Sequence, residues 1–158
     1  MEAFHLVYVS TATDPLAEDE LLDIERIAIK NNAKLGVTGL LTYCDSKFMQ
    51  FLEGKKVHVQ EIFAKIIGDS RHHSIDVIRQ GMIPKHQFTG WQMKYANIND
   101  IYESNGYIYD KLFDVKASAI NILEHATESL SLLVAFKNSC PNLFIKENKN
   151  SIKLHKIH

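Results

Sequence analysis

The chain is poor in cysteine, and this scarcity excludes two kinds of stabilisation. Its 158 residues include only Cys44 and Cys140. Two cysteines so far apart cannot form a disulfide framework or the paired-cysteine pattern of a zinc site. We therefore expect two reduced thiols and no bound metal.

Long apolar runs are also missing. No stretch approaches the roughly 20 consecutive apolar residues that a membrane helix needs. The first residues, Met1 to His5, lack the basic start and apolar run of a signal peptide. Hydrophobic residues make up 46% of the chain and charged residues 23%, which is typical of globular proteins. The sequence thus predicts a cytoplasmic protein without a membrane partner.

Common catalytic motifs are absent as well. The segment GVTG at 36–39 lacks the G-x-x-x-x-G-K-[ST] form of a phosphate-binding loop. The eight histidines form no H-E-x-x-H or Cys/His group, and no Ser/His/acid arrangement is identifiable. We expect a protein that is not an enzyme.

Charge is unevenly distributed along the chain. Residues 137–158 carry five lysines and one glutamate, which leaves −5 for the rest of a chain whose net charge is −1. Such a tail can contact an acidic partner or nucleic acid, but basic termini are commonly solvated and frayed. We expect a flexible tail over 139–158 and no direct nucleic-acid binding.

Strand and helix patterns alternate over the first hundred residues. Strands are predicted at 4–10, 36–43, 48–54, 75–83 and 88–95, and helices at 18–32 and 55–68. Residues 44–47 are typical of a hairpin turn, and the second helix carries an apolar stripe over 59–67. The order βαββαββ predicts an α+β, ferredoxin-like sheet with both helices on one face. Because this leaves the other face bare, we expect two further helices, at 110–125 and 127–138, to cover it.

The expected domain organisation is based on these patterns. Residues 1–96 form the main domain, 97–138 a helical cap or output segment, and 139–158 the basic tail.

Gln50 is a polar residue on an apolar strand face. It shares that face with Phe48 and Leu52, because side chains alternate along a strand. An unpaired buried amide costs about 1–3 kcal/mol, so Gln50 needs partners. Tyr8 and Asn32 lie on apolar faces in the same way, and all three should point between the sheet and the helices.

Two amides and a phenol suit a planar heteroaromatic ligand with carbonyls and ring nitrogens. Ile24 and Ile66, one from each helix, could enclose the faces of its ring. Ordinary roles stay open for single residues. Asn32 could be a helix C-cap, and Lys65 and Asp69 could form a surface ion pair.

Six short segments form a recognisable pattern along the chain. They are LVYVS at 6–10, NN at 31–32, GVTGLL at 36–41, FMQFLEG at 48–54, DSRH at 69–72 and WQM at 91–93. In order and spacing, over residues 4–95, they resemble the BLUF family, the sensors of blue light using FAD. The resemblance implies the ferredoxin-like fold already predicted, with FAD between the two helices.

The resemblance also implies photochemical roles for three residues. Tyr8 matches the family's photoactive tyrosine, which gives an electron and a proton to the excited flavin. Gln50 matches the glutamine that bridges this tyrosine to flavin N5 and O4. Asn32 matches the asparagine that holds the C4 carbonyl and N3–H edge.

Further positions match residues around the flavin's tail. Asn31 and Arg71 fall near the phosphate and O2 side, and Lys65, Asp69 and His72 around the ribityl chain and ring. Some relatives have arginine in place of Lys65 and histidine in place of Asn31. Lysine lacks the forked donor set of arginine, so the sequence departs from the family pattern on the phosphate side.

The resemblance assigns the remaining positions and the function. Ile24 and Ile66 match the apolar residues that enclose the ring, and Trp91 and Met93 match strand residues that pass the signal outward. Residues 96–158 are too short for the cyclase or phosphodiesterase domain that the family often carries. We therefore expect a short, stand-alone blue-light receptor whose output is altered binding to a protein such as a transcriptional regulator, with homo-oligomerisation left open.

Two other functions remain open from the residues alone. One is a non-photoactive module that binds an amino acid or nucleotide. The other is an acylphosphatase-like hydrolase on the same fold, but Thr11 to Asp14 after the first strand offers no arginine for an anion site.

Overall fold

The computed structural model describes residues 1–88, 92–97 and 132. Its elements occur in the order βαββαββ, which confirms the predicted order. The strands are β1 Ala3–Ala12, β2 Thr38–Cys44, β3 Lys47–Gly54, β4 His72–Ile83 and β5 Lys94–Asn97, and the helices are α1 Glu18–Leu35 and α2 Lys56–Ile67. No helix in this part of the chain is both long enough and apolar enough to cross a membrane.

The strands form one sheet in the order β4-β1-β3-β2-β5. Strands β1 to β4 pair antiparallel, whereas β5 lies parallel to β2. The central pair is β1 and β3, and its register places Tyr8 opposite Gln50. This is the predicted ferredoxin-like arrangement, and it brings the two polar residues of the apolar face side by side.

A two-residue turn joins β2 to β3, as the sequence predicts. Its residues, Asp45 and Ser46, have φ angles of 51° and 63°. Positive φ at both positions is the signature of a primed turn, whose twist matches that of the flanking strands. The turn fixes the register Tyr43↔Phe48, which in turn fixes the face that Gln50 occupies.

Helix α1 ends at Gly36, which has a φ of 63°. This left-handed conformation suits glycine because it has no Cβ. The prediction that Gly36 begins the second strand is therefore wrong, since β2 starts at Thr38. The alternative role of Asn32 as the C-cap is also excluded: Asn32 lies inside α1, and its side chain remains available for other contacts.

Both helices pack on one sheet face, as predicted. Leu21 of α1 and Val59 of α2 join Leu6 and Leu52 of the sheet in one buried cluster. The predicted apolar stripe of α2 fails at its end, because Ile67 is 55% exposed. Ile67 is the last helical residue and projects beyond the cluster.

The opposite sheet face is also buried. Val7, Leu40, Met49 and Phe51 on this face are each less than 4% exposed. The predicted helix at 110–125 lies outside the described residues, and of the one predicted at 127–138 only Leu132 is described. Apart from residues 97 and 132, the predicted segments 97–138 and 139–158 also lie outside the described residues.

Strands β4 and β5 begin several residues away from their predicted starts. Strand β4 begins at His72 instead of residue 75, because its pairing with β1 continues to Ala12. This early part contains an irregularity, with Ser74 at a φ of 54°, which hides the alternating pattern. Strand β5 begins at Lys94 instead of residue 88.

Candidate functional site

A cleft opens between the two helices and the sheet face beneath them. Its walls surround about 750 Å³, including the open mouth. All ten residues predicted to bind a cofactor line it: Tyr8, Ile24, Asn31, Asn32, Gln50, Lys65, Ile66, Asp69, Arg71 and His72. The fold therefore brings the set together, while the role of each residue in binding stays a prediction.

Tyr8 and Gln50 form the floor of the cleft. They are 3% and 5% exposed, and the Tyr8 hydroxyl donates a short hydrogen bond to Gln50 Oε1. Gln50 Nε2 donates to Met93 Sδ at 3.6 Å. The buried amide thus has a phenol on one side and a thioether, a weak acceptor, on the other.

The environment of Tyr8 keeps its phenol protonated. Burial raises its pKa well above the ordinary value, and the negative charge of Asp69 raises it further. Both effects disfavour the phenolate. The Tyr8 proton is consequently held on the hydroxyl that faces Gln50.

Asn32 connects the cleft to the segment before β5. Its side chain is 1% exposed, and Nδ2 donates to the Gln92 carbonyl at 2.6 Å. A buried amide that uses a donor on the protein backbone is fixed in orientation. The same side chain lines the cleft.

His72 joins three elements beside Tyr8. Its Nε2 lies 2.7 Å from the Ile66 carbonyl and its Nδ1 lies 2.8 Å from Ser10 Oγ. Because a carbonyl only accepts, Nε2 carries the hydrogen, and in the neutral ring Nδ1 accepts from Ser10. His72 therefore fixes the end of α2 against β1, beside the Tyr8 ring 6.3 Å away.

Charged residues surround the mouth of the cleft. Arg71 donates to the Asp69 carboxylate from Nε at 3.0 Å and from Nη2 at 2.5 Å, and these bonds lower the pKa of Asp69. Lys65 pairs with Glu61 at 3.3 Å and not with Asp69, so the surface pair considered from the sequence is wrong. Each of the two cations at the mouth is thus paired with a carboxylate.

The donor set as a whole fits a flavin dinucleotide. Ile24 and Ile66 supply apolar walls from facing helices, and the inner amides of Asn32 and Gln50 can each donate and accept. A planar ring with carbonyls would meet these amides, while the phosphates would lie toward the mouth. Apolar walls with a few convergent polar groups are the usual form of a cofactor cleft.

Met93 is the second partner of Gln50 and lies in a tight space. It is 3% exposed, and a Cβ at Gly39 would lie 3.2 Å from Met93 Cε and 2.0 Å from the Phe51 carbonyl oxygen. Only glycine fits at position 39, since the neighbouring strand backbone cannot withdraw by that much. Trp91, the other predicted relay residue, lies outside the described residues.

Two carboxylates that bond the segment after β4 were not predicted from the sequence. Glu25 of α1 accepts the Tyr95 amide at 2.7 Å, and Glu53 of β3 accepts the amides of Gln87 and Phe88 at 2.8 and 3.1 Å. The only signal in the sequence is a charged residue inside the buried run FMQFLEG. A helical glutamate such as Glu25 gives no signal at all.

Glu53 is an unusual carboxylate because it is 1% exposed. Burial raises its pKa to about 7, although the two backbone hydrogen bonds act in the opposite direction. His86 Nδ1 lies 3.8 Å from Glu53 Oε2, but burial lowers the pKa of His86. Near neutral pH this contact is therefore not a full ion pair.

Comparison with known proteins gives the same family throughout. The family model "Sensors of blue-light using FAD", BLUF, matches residues 3–94. The chain is 33% identical over 98 residues to the photoactivated adenylate cyclase subunit alpha of Euglena gracilis. That match covers 61% of this chain and 10% of the relative, so this chain spans about a tenth of its length.

Solved structures show the same likeness. A structure described as the photo-activated state of BlsA is 32% identical, with a TM-score of 0.54, and the match covers 72% of this chain and 79% of that one. The dark-state structure of BlrB, a BLUF protein, has a TM-score of 0.63 at 23% identity, with 85% and 97% covered. At that identity the likeness to BlrB concerns the fold.

Proposed function

The chain belongs to the BLUF family of FAD-dependent blue-light sensors, and we propose that its switch is the hydrogen-bonded row Tyr8–Gln50–Met93. The bonds of Gln50 to both neighbours support this proposal most directly. FAD is the cofactor of the family. When bound, it supplies blue-light absorption and an excited state that oxidises a nearby donor.

Tyr8 is the proposed electron and proton donor. Its hydroxyl already donates to Gln50 Oε1, so loss of an electron from the phenol, which makes it strongly acidic, sends the proton along that bond to Gln50. When the electron and the proton return to Tyr8, the ring recovers its starting state. Gln50 is left rotated, tautomerised or both, and this altered amide is the stored signal.

Rotation of the Gln50 amide has a definite consequence for Met93. A half-turn exchanges Oε1 and Nε2, so that Oε1 would face Met93 Sδ. Both atoms are acceptors and cannot hydrogen-bond to each other. The amide's bond to Met93 is lost, and the change at the cleft floor reaches the segment that leads into β5.

Cofactor binding is proposed for ten of the residues that line the cleft, the ten predicted from the sequence. Ile24 and Ile66 would enclose the ring, and Asn32 and Gln50 would bond its polar edge. Lys65 and Arg71 would attract the phosphates. The output is proposed as light-dependent binding to another protein in the cytoplasm, such as a transcriptional regulator, without enzymatic turnover.

The photochemical part is tested by Tyr8→Phe, which keeps the ring and removes the transferable proton. Wild-type protein purified in darkness should be yellow and should form a red-shifted species under blue light, while Tyr8→Phe loaded with FAD should not. Tyr43→Phe is the matched control. Its hydroxyl accepts the Leu16 amide at 3.0 Å, and this variant should respond like the wild type.

Two outcomes would contradict the proposal. One is a stable red-shifted species in Tyr8→Phe. The other is a colourless wild-type protein that cannot be loaded with FAD, which would favour a regulatory module for a different small ligand.

A further inference from the structure

Helix α1 bonds the backbone of the segment 92–95 at two points. Near its middle, Glu25 Oε1 accepts the Tyr95 amide at 2.7 Å. Near its end, Asn32 Nδ2 donates to the Gln92 carbonyl at 2.6 Å. We call these two bonds the α1–β5 clamp.

The two bonds come from one face of α1. Glu25 and Asn32 are seven residues apart, about 10.5 Å along a helix, and lie on the same helix face because seven residues complete about two turns. Glu25, nearer the start of α1, bonds Tyr95, whereas Asn32, nearer its end, bonds Gln92. The segment therefore runs antiparallel to α1.

Met93 lies between the two points of the clamp. Its Sδ accepts the hydrogen bond from Gln50 Nε2 at 3.6 Å, and its side chain is 3% exposed. Both clamp bonds act on main-chain atoms, so they set the position of the Met93 backbone whatever the side chain does. Asn32 also lines the cleft, whereas Glu25 is not one of the residues that line it.

We propose that Glu25 is a positioning residue of the light switch, which holds Met93 against Gln50 through the Tyr95 amide. The proposal rests on the proposed photochemical function. After illumination, the return of Gln50 requires Met93 Sδ to accept from Nε2 again. If the backbone of Met93 is fixed, its Sδ stays in place to accept this bond. If the backbone is free to move, it must first return to its position. Glu25 thereby shortens the life of the lit state.

The test compares Glu25→Ala with Glu25→Gln and Asp23→Ala. Glu25→Ala should slow dark recovery by about threefold or more, and should raise hydrogen exchange of the Tyr95 amide about fivefold, the scale of one lost hydrogen bond. Glu25→Gln keeps an accepting Oε1 and should recover at the wild-type rate. Asp23→Ala removes a charge from the same helix, where Asp23 pairs only with Arg26 among the described residues, and should also match the wild type.

Other results would overturn the proposal. Faster or unchanged recovery in Glu25→Ala, with increased Tyr95 exchange or a lower Tm, would make Glu25 a structural residue only. Unchanged hydrogen exchange of the Tyr95 amide in Glu25→Ala would show that Glu25 does not hold this amide, and the α1–β5 clamp would be contradicted. If Glu25→Ala does not fold, Glu25→Asp replaces it, because the shorter side chain withdraws the acceptor and the same slower recovery is expected.

Failure of the proposed photochemistry is distinguishable from failure of the clamp. A wild-type protein that shows no response to light would overturn the switch, and with it the positioning role. Exchange of the Tyr95 amide is measured in darkness and reports on the clamp in that case as well.

Discussion

At the scale of single residues, Gln50 is a buried amide with a different partner on each side. It has a donor on one side, the Tyr8 hydroxyl, and an acceptor on the other, Met93 Sδ. A primary amide presents a different atom to each side, so one rotation changes both contacts at once. An apolar residue of the same size could fill the space but would have no second arrangement.

Glu53 gives a prediction at the same scale, which concerns the dependence of stability on pH. Its pKa in the folded protein, about 7, is above its ordinary value. The folded protein therefore binds a proton that the unfolded chain has released, and the stability from this group falls as pH rises from about 4.5 to about 7. Glu53→Gln should remove this loss, on the order of 3 kcal/mol.

Urea denaturation at pH 5 and pH 8 measures the effect. The free energy of unfolding should drop less between these pH values in Glu53→Gln than in the wild type. Glu61→Gln is the control, because Glu61 is exposed on α2 and should leave the wild-type pH dependence intact. Identical pH dependence in wild type and Glu53→Gln would show that the Glu53 carboxyl titrates normally.

At the scale of elements, strands β2 and β3 approach so closely that position 39 has no room for a side chain. Gly39 lies opposite Leu52 in the pairing of these strands, and a Cβ there would lie 2.0 Å from the Phe51 carbonyl oxygen. The same Cβ would crowd Met93. Strand pairing and the position of Met93 therefore depend on one missing side chain.

Gly39→Ala should destabilise the fold by about 2 kcal/mol or more, because backbone atoms must separate to admit the methyl group. Thermal unfolding of the purified variants measures this as a lower Tm. Gly81→Ala is the matched control: Gly81 lies on the edge strand β4, and a Cβ there meets no atom within 4 Å. A Gly39→Ala protein as stable as Gly81→Ala would contradict the close approach of β2 and β3.

At the scale of the whole molecule, the two faces of the sheet are packed differently. One face carries the cleft and both helices, and the other is buried around Phe51 and Phe88, whose rings lie 5.5 Å apart. The chain after β4 contacts both sides, since Glu53 bonds residues 87 and 88 while Gln50 bonds Met93. Gln50 is thus in direct contact with Met93, which immediately precedes β5.

This arrangement predicts that illumination changes the partners that the whole protein binds. Full-length protein fixed to a support should capture a partner from extract of its source cells in only one of two conditions, darkness or blue light. Tyr8→Phe is the control, because a light-blind protein should capture the same amount in both. Equal capture by the wild type in both conditions would contradict an output through protein binding.

The sequence by itself determined the order of elements, the hairpin turn and the family. The turn at Asp45 and Ser46 and the alternation around Gln50 depend on neighbouring residues, so local patterns suffice to predict them. Ten of the residues that line the cleft were also predicted from the sequence, where only the resemblance to a family joined these dispersed positions.

Tertiary structure decided which polar atoms meet. The bonds from Gln50 to Met93, from Glu25 to Tyr95 and from Glu53 to residues 87 and 88 join positions 34 to 70 residues apart. No periodic pattern encodes such pairs, because each depends on how two elements pack and not on either element alone. For the same reason the sequence could place Gln50 in the core, but only the packing of β5 against β2 and α1 showed that its second partner is Met93.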